Sequence, residues 1–245
     1  SLSSAASDVY KRQMLNKNFL IITPTFNEKD NIENFLYEVI DIGLSVLVVD
    51  DNSPDGTSEI VKRMKKNNSN IHLITREKKL GLGSAYRDGF NWFIKSDYSH
   101  CIEMDTDFSH TFRDLKKILS EITNYDLVIG SRYIDGGGST GWDKKRKMLS
   151  KYANKFAKKL LNSEINDLTS GFRSYSKTAL ISSKYESTVA NGYGFQIEMA
   201  NRIENKNLKI LEVPITFEER RLGESKMSLK ISIEAFILLL KLRIK

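Results

Sequence analysis

What most constrains this chain is a repeated unit: a short apolar run, an acidic or turn-forming segment, then apolar residues at helical spacing. Phe19 to Thr23 reads as a strand, followed by Ile32, Phe35, Leu36, Val39 and Ile40 along one helix face. Ser45 to Asp50 is a second strand, with Ile60, Val61 and Met64 inward on the next helix. Ile71 to Thr75 is a third, followed by a helix from about Ser84 to Ile94. Cys101 to Asp105, a helix using Leu115, Ile118, Leu119 and Ile122, and the strand Asp126 to Ser131 continue the rhythm. Strands and helices alternating through short connections predict an α/β fold with a mostly parallel central sheet flanked by helices. After Ser131 the pattern breaks into a Gly-rich loop, Asp135 to Gly141, then a long helix, then short strands mixed with loops.

Three of these strands feed acidic residues to one edge. Ile21-Ile22 leads into Pro24-Thr25-Phe26-Asn27-Glu28, Val46-Leu47-Val48-Val49 into Asp50-Asp51, and Cys101-Ile102-Glu103-Met104 into Asp105-Thr106-Asp107. Ligands of open α/β sheets bind outside the carboxyl ends of the strands, so these carboxylates converge on one crevice. Their oxygens suit a hard divalent cation, Mg²⁺ or Mn²⁺, which such sites hold together with substrate phosphates. A phosphorylated substrate is the first expectation.

With 245 residues the chain has room for one large domain with a substantial core, and a second full domain is not expected. The longest late apolar run, Ala235 to Leu240, is far short of the roughly 20 residues that span a bilayer. Cys101 is the single cysteine, which excludes an intrachain disulfide and a multi-cysteine zinc site and fits a reducing cytoplasm. Ser1 to Gln13 lacks periodicity and an apolar signal core and is expected to be a non-native or disordered leader, leaving 14–245 as one domain. Without its Asp8, Lys11 and Arg12 the net charge falls only from +7 to +6. A dinucleotide enzyme is disfavoured, because Gly81-Leu82-Gly83 lacks the third glycine of that fingerprint and reads as a tight turn. A P-loop is also missing, since no Gly-Lys-Ser/Thr follows a strand.

The ordered set of Pro24 to Glu28, Asp50-Asp51-Asn52-Ser53-Pro54-Asp55-Gly56-Thr57, Gly81-Leu82-Gly83-Ser84-Ala85 and Met104-Asp105-Thr106-Asp107 resembles the family 2 inverting glycosyltransferases of GT-A (Rossmann-like) fold. Later segments narrow the resemblance. Gly130-Ser131-Arg132-Tyr133 with Gly136-Gly137-Gly138, Gly141-Trp142 with Arg146, Asp167-Leu168-Thr169-Ser170-Gly171-Phe172-Arg173, Gly194-Phe195-Gln196-Ile197-Glu198 and Arg220 to Lys226 look like dolichol-phosphate (polyprenol-phosphate) mannose synthases. It runs from about Phe19 to Lys230 in order.

The resemblance implies transfer of mannose from GDP-mannose to dolichyl or polyprenyl phosphate with inversion, giving a β-linked lipid-phosphate-mannose. Two alternatives stay open: a UDP-sugar enzyme of glucose type using the same lipid class, and a basic nucleic-acid binder. The second is disfavoured because no helix-turn-helix, zinc finger or RNP motif is visible. For the donor it implies Pro24, Phe26, Glu28, Val49, Asp51, Asp105, Thr106 and Arg132, with Arg220 and Lys226 reaching the diphosphate from a loop. Phe26 stands where the family usually has Tyr, so it can stack on a purine but offers no hydroxyl. Asp105, Asp107 and Arg132 are the implied catalytic residues, and Asp105 and Asp107 the implied metal-binding pair. A third ligand is implied two residues on, where archaeal relatives carry Gln and this chain has Ser109. Asp50 is expected to be partly structural, and Asp55-Gly56 a turn.

A lipid phosphate is largely dianionic at neutral pH and attacks without a general base, so it needs a cationic pocket instead. Family analogy supplies Arg132 and Arg146, with Ser150 as a hydroxyl donor.

Two basic amphipathic segments bear on the lipid. Met148, Leu149, Tyr152, Ala153, Phe156, Ala157, Leu160 and Leu161 form an apolar stripe flanked by Lys147, Lys151, Lys155, Lys158 and Lys159, and core packing is expected for it. For 228–245, where apolar residues nearly encircle the axis and Lys230, Lys241, Arg243 and Lys245 add charge, contact with a membrane surface is expected. These readings predict a cytoplasmic protein, peripheral on the cytoplasmic face of a membrane, and leave room for a separate membrane-anchoring subunit.

Overall fold

Strands that are apolar at every position need cover on both faces, and the order of elements supplies it. The computed structural model describes residues 18–192, 194–219, 239–240 and 242–243. Its elements are β1 (Phe19–Thr25), α1 (Lys29–Asp41), β2 (Ser45–Asp50), α2 (Thr57–Lys65), β3 (Ile71–Thr75), α3 (Leu82–Ile94), β4 (His100–Glu103), α4 (Phe112–Glu121) and β5 (Leu127–Ser131). Then follow β6 (Gly138–Ser139), α5 (Lys144–Leu161), β7 (Arg173–Ser176), α6 (Lys177–Ser183), α7 (Gly194–Glu204), β8 (Ile210–Pro214) and β9 (Thr216–Phe217).

The main sheet has seven strands in the order β3-β2-β1-β4-β7-β5-β8, and β6 pairs with β9 beside it. All main-sheet pairings are parallel except those of β7, which runs antiparallel to both β4 and β5. The mostly parallel α/β sheet expected from the repeats is therefore present. Side chains alternate across it with the period of two that a strand imposes. Leu20, Ile22, Leu47, Val49 and Cys101 pack with α3 and α7 residues on one face, while Ile21, Val46, Val48 and Ile102 pack with α1 and α4 residues on the other. Cys101 is buried and free, and burial pushes its thiol pKa well up.

One expectation changes within the described residues, and a second falls largely outside them. In α5 the apolar stripe is not a core face: Met148, Leu149, Tyr152 and Phe156 are exposed, and the buried positions are Asn154 and Ala157. An i, i+4 row advances about 40° around the axis per step, so the stripe winds from the outer face at Met148 to the domain only at Leu160 and Leu161. Helix α5 is instead anchored by Asn154, which accepts from Leu168 N–H at 3.0 Å and donates to the carbonyl of Asn166. At the other segment, Leu239 is buried in the core, and Arg243 donates to the Leu160 carbonyl at 2.7 Å. Leu242 packs partly buried against that core and Leu240 is exposed; the remaining residues of 228–245, and the leader at 1–13, lie outside the described residues.

Candidate active site

β2, β1 and β4 are adjacent and parallel, so their carboxyl ends share one edge. Pro24 pairs with Val49 and Thr25 with Asp50, and the Asp51 N–H donates to the Thr25 carbonyl at 3.0 Å. Ile22 pairs with Glu103, which places Asp105 to Asp107 just beyond the same edge. Phe26 and Glu28 follow directly from β1, so the donor residues expected on these strands are brought together.

Neighbouring aspartates take different tasks here. Asp50 has no exposure: it accepts from Thr25 Oγ1 at 2.8 Å, Ser53 N–H at 2.9 Å and Ser53 Oγ at 2.6 Å, and so pins the turn. Asp51 pairs with Arg76 at 2.6 Å, and Arg76 also reaches Asp88 at 3.1 Å and the hydroxyl of Ser84. Glu28 accepts from Asn31 Nδ2 at 2.9 Å, and its own N–H donates to Thr57 Oγ1 at 3.0 Å. The Lys79 ammonium lies 3.8 Å from the centre of the Phe26 ring.

At the end of β4, Asp105 is half-buried while Thr106 and Asp107 are buried. Asp107 Oδ1 accepts from both Ser109 N–H (3.0 Å) and Ser109 Oγ (2.6 Å). Closing that turn forces Phe108 to φ 61°, a left-handed conformation that costs a bulky side chain on the order of 1–3 kcal/mol. The Asp105 N–H donates to His110 Nδ1 at 3.3 Å, and the His110 ring stacks on Phe172 at 4.7 Å. Two carboxylates and a hydroxyl make an all-oxygen donor set of the kind hard divalent cations take, so the residues fit Mg²⁺ or Mn²⁺. Among the described residues no group of three or more His, Cys, Asp or Glu is poised to hold a metal unaided.

The antiparallel insertion of β7 carries the edge across to β5. Glu103 pairs with Arg173 and Arg173 with Ile129, so Asp105 and Arg132 both emerge on the same side of that row, about 10 Å of sheet apart. Burial pushes the Glu103 carboxyl up to about 8, against the opposing pull of Arg173. Arg173, the bulkiest fully buried side chain, donates to the carbonyls of Ser170, Gln196, Leu168 and Asp167. It thereby shapes the loop that holds Arg132.

Arg132 donates from Nε and Nη2 to the two carboxylate oxygens of Asp167, each at 2.8 Å, and from Nη2 to Thr169 Oγ1 at 2.7 Å. Burial alone would raise the Asp167 pKa, but Arg132 outweighs it and holds the carboxyl below its ordinary range. The guanidinium groups of Arg132 and Arg146 both lie against Trp142, at 5.9 and 4.3 Å from the ring centre. Arg146 also reaches Glu219 at 3.2 Å. Ser150 joins through Tyr133, whose hydroxyl is 2.7 Å from Ser150 Oγ and whose ring lies 5.2 Å from the Arg132 guanidinium. Of the predicted acceptor residues, Arg132 lines a cleft of about 430 Å³ together with Tyr133, Asp135, Trp142, Lys147 and Lys151, while Arg146 meets its wall through Trp142 and Ser150 through Tyr133. Trp142 Nε1 is buried there without a hydrogen-bond partner among the described residues. Arg220 and Lys226 lie outside the described residues.

Sequence reading left Arg76, His110 and Asp167 without roles. Arg76 directly follows β3, so the strand-end rule that selected Asp51 also applies to it. Asp167 opens one of the motifs that carry the resemblance, but it is 35 residues from Arg132 and nothing local announced that pairing.

Comparison with known proteins gives a consistent assignment. The family model described as Glycosyl transferase family 2 matches residues 20–182. A polyprenol monophosphomannose synthase of Mycolicibacterium smegmatis is 40% identical over 213 residues, covering 85% of this chain and 80% of that protein. An undecaprenyl-phosphate mannosyltransferase of Micrococcus luteus is 39% identical over 211 residues, covering 85% and 87%. Among solved structures, the mannosyltransferase PcManGT from Pyrobaculum calidifontis in complex with GDP-Man and Mn²⁺ aligns with TM-score 0.61 at 14% identity over 99% of this chain and 72% of its own. GalNAc-T7 with UDP, GalNAc and Mn²⁺ aligns with TM-score 0.54 at 14% identity, over 90% and 48%. These two share the fold. With a family match over more than half of its length and full-domain relatives near 40% identity, the chain belongs to glycosyl transferase family 2.

Proposed function

We propose that the protein is a polyprenyl-phosphate mannose synthase, transferring mannose from GDP-mannose to a polyprenyl phosphate with inversion. The observation that carries the reading is the pair of guanidinium groups gathered on Trp142 beside the acidic strand ends. One subsite is rich in carboxylates and the next is cationic. A nucleotide diphosphate-sugar and a phosphate acceptor need that division.

Phe26, Glu28 and Asp51, with the backbone at Pro24 and Val49 and with Thr106, take the base and ribose of the donor. Asp105 and Asp107 hold the divalent cation, with Ser109 adjoining Asp107. Bound there, that cation offsets the negative charge that grows on the departing diphosphate. Arg220 and Lys226 complete the donor site as diphosphate clamps. Arg132, Arg146 and Ser150 receive the acceptor phosphate, whose own oxygen attacks the sugar carbon, because a phosphate with a second pKa of about 6 is already deprotonated at neutral pH. Asp167 locks the Arg132 fork through both oxygens, so the guanidinium is presented in one geometry rather than searching rotamers. Product leaves in the lipid phase, which supports a reaction at a membrane surface, and the resemblance puts that surface on the cytoplasmic face. No helix among the described residues is long and apolar enough to cross one.

The test follows labelled sugar into the organic phase with purified protein, Mg²⁺, and either GDP-mannose or UDP-glucose as donor. Transfer from GDP-mannose to polyprenyl phosphate is expected, with none to the free polyprenol, whose neutral hydroxyl would need a base. Preference for UDP-glucose, or efficient mannosylation of the free alcohol, would overturn the reading.

A further inference from the structure

Glu219 sits where the chain leaves room for it. Two residues past β9, it belongs to a segment pinned from both sides: Thr140 N–H donates to the Phe217 carbonyl at 2.9 Å, and Glu218 N–H donates to the Ser109 carbonyl at 3.0 Å. The Phe217 ring meets that of Trp142 at 5.3 Å. Against Glu219 lies Gly141, at φ 79°, where a Cβ would stand 2.5 Å from Glu219 Cβ and 2.8 Å from its Oε2. Glycine alone takes that backbone freely and leaves that space. So seated, the Glu219 carboxylate accepts from Arg146 Nη1 at 3.2 Å, and the same guanidinium lies 4.3 Å from the centre of the Trp142 ring. Asp143, the nearer acid in sequence, is otherwise engaged: it caps α5 by accepting from the Arg146 backbone N–H at 2.8 Å.

Arg146 is one of the guanidinium groups that the proposed function gives to the acceptor phosphate, and the inference rests on that reading. A guanidinium fork takes carboxylate and phosphate oxygens through the same N–H groups, so the two anions compete for it. The side chains of Arg146 and Glu219 are 39% and 51% exposed, and an ion pair so open to water is weak. A phosphate with two charges displaces it. We infer that Glu219 is a stand-in for the acceptor phosphate, pairing with Arg146 while the site is empty and yielding it to the incoming dianion. Transfer bonds one phosphate oxygen to the sugar carbon as the bond from that carbon to GDP breaks, which leaves a diester with a single charge. Glu219 lowers the affinity of every anion at Arg146 by the same factor, and the diester, held through less charge, is the one that this releases.

The test measures, by calorimetry on the full chain with GDP and Mg²⁺ present, the binding of a short, water-soluble prenyl monophosphate and of its methyl diester. Wild type should hold the monophosphate more tightly than the diester. Glu219→Gln, at an exposed position and with an unchanged thermal midpoint, should tighten both by about two- to fivefold, the range that an exposed ion pair supplies. The gain should shrink as salt rises. Glu218→Gln removes the neighbouring carboxylate and is the control for general charge; it should tighten binding less. In an Arg146→Ala background Glu219→Gln should no longer tighten binding, because the competition passes through that guanidinium. A Glu219→Gln variant that binds the monophosphate no better than wild type, or that gains as much without Arg146, would overturn the inference and leave the proposed reaction intact. A wild type that binds the monophosphate but transfers no mannose to it would count against the reaction alone, with the stand-in upheld by the tightening. Binding of neither prenyl phosphate to the wild type would overturn both.

Discussion

Asp107 shows how much one residue's surroundings decide. Its Oδ1 already serves two donors of Ser109, at 3.0 and 2.6 Å, and an amide oxygen can accept both. Asp107→Asn should therefore leave the fold and thermal midpoint near wild type while removing the charge that the proposed function assigns to the cation. Turnover is expected to fall by roughly two to three orders of magnitude, the scale of losing one preorganised electrostatic stabiliser. Steady-state rates at ordinary Mg²⁺ measure it, and near-normal turnover would remove Asp107 from the machinery. The sequence made Asp105 and Asp107 legible as a pair because the motif is contiguous. It left Phe108 unremarked, since a left-handed φ at a bulky residue is visible only once the turn around Asp107 has closed.

At the level of elements, the site depends on how closely α3 meets α7. Gly83 sits on α3 where a Cβ would press on the Ala190 carbonyl and come within 2.9 Å of the Phe195 ring. Gly83→Ala gains about 1 kcal/mol of helix propensity, yet the backbone carbonyl cannot move aside. Overpacking of about 1–3 kcal/mol outweighs that gain, leaving a net loss of up to about 2 kcal/mol in urea denaturation. Gly138→Ala, which meets nothing within 4 Å, is the control and should change stability by only a few tenths of that. The glycines of Gly81-Leu82-Gly83 read locally as a turn. Gly81, at φ 95°, does initiate α3, but the demand at Gly83 comes from a segment more than a hundred positions away in the chain. Helix α5 teaches the same lesson. Its stripe was legible as apolar, but periodicity alone could not say which arc of a winding row meets the domain.

Across the whole molecule, Asp167 ties three regions together. It clasps Arg132 after β5, while its own N–H and that of Asn166 donate to Glu212 on β8 at 2.9 and 2.8 Å. Because the folded pKa lies below the unfolded value, folding is favoured by this carboxylate at all pH above the unfolded pKa, and that contribution is lost as pH falls through the folded pKa. Asp167→Asn should cost about 3–5 kcal/mol at pH 7 by leaving Arg132 buried without its counter-charge. The variant should then lose less additional stability than wild type on acidification below about pH 4. Urea midpoints taken from pH 7 to pH 3 measure both effects, and parallel curves would show that the pair contributes nothing.

Up to Ser131 the sequence by itself determined which segments become strands and helices, because short continuous apolar runs alternate there with helical patterns, and it determined that the acidic ends of β1, β2 and β4 share an edge, because parallel strands align their carboxyl ends. Only the tertiary structure decided that β7 enters the sheet antiparallel between β4 and β5, which brings Arg132 to that edge, and that Asp167 and Trp142 organise the cationic cleft. Those contacts join residues far apart in the chain, and their energy arises from charge pairing and burial that exist only after the chain has closed on itself.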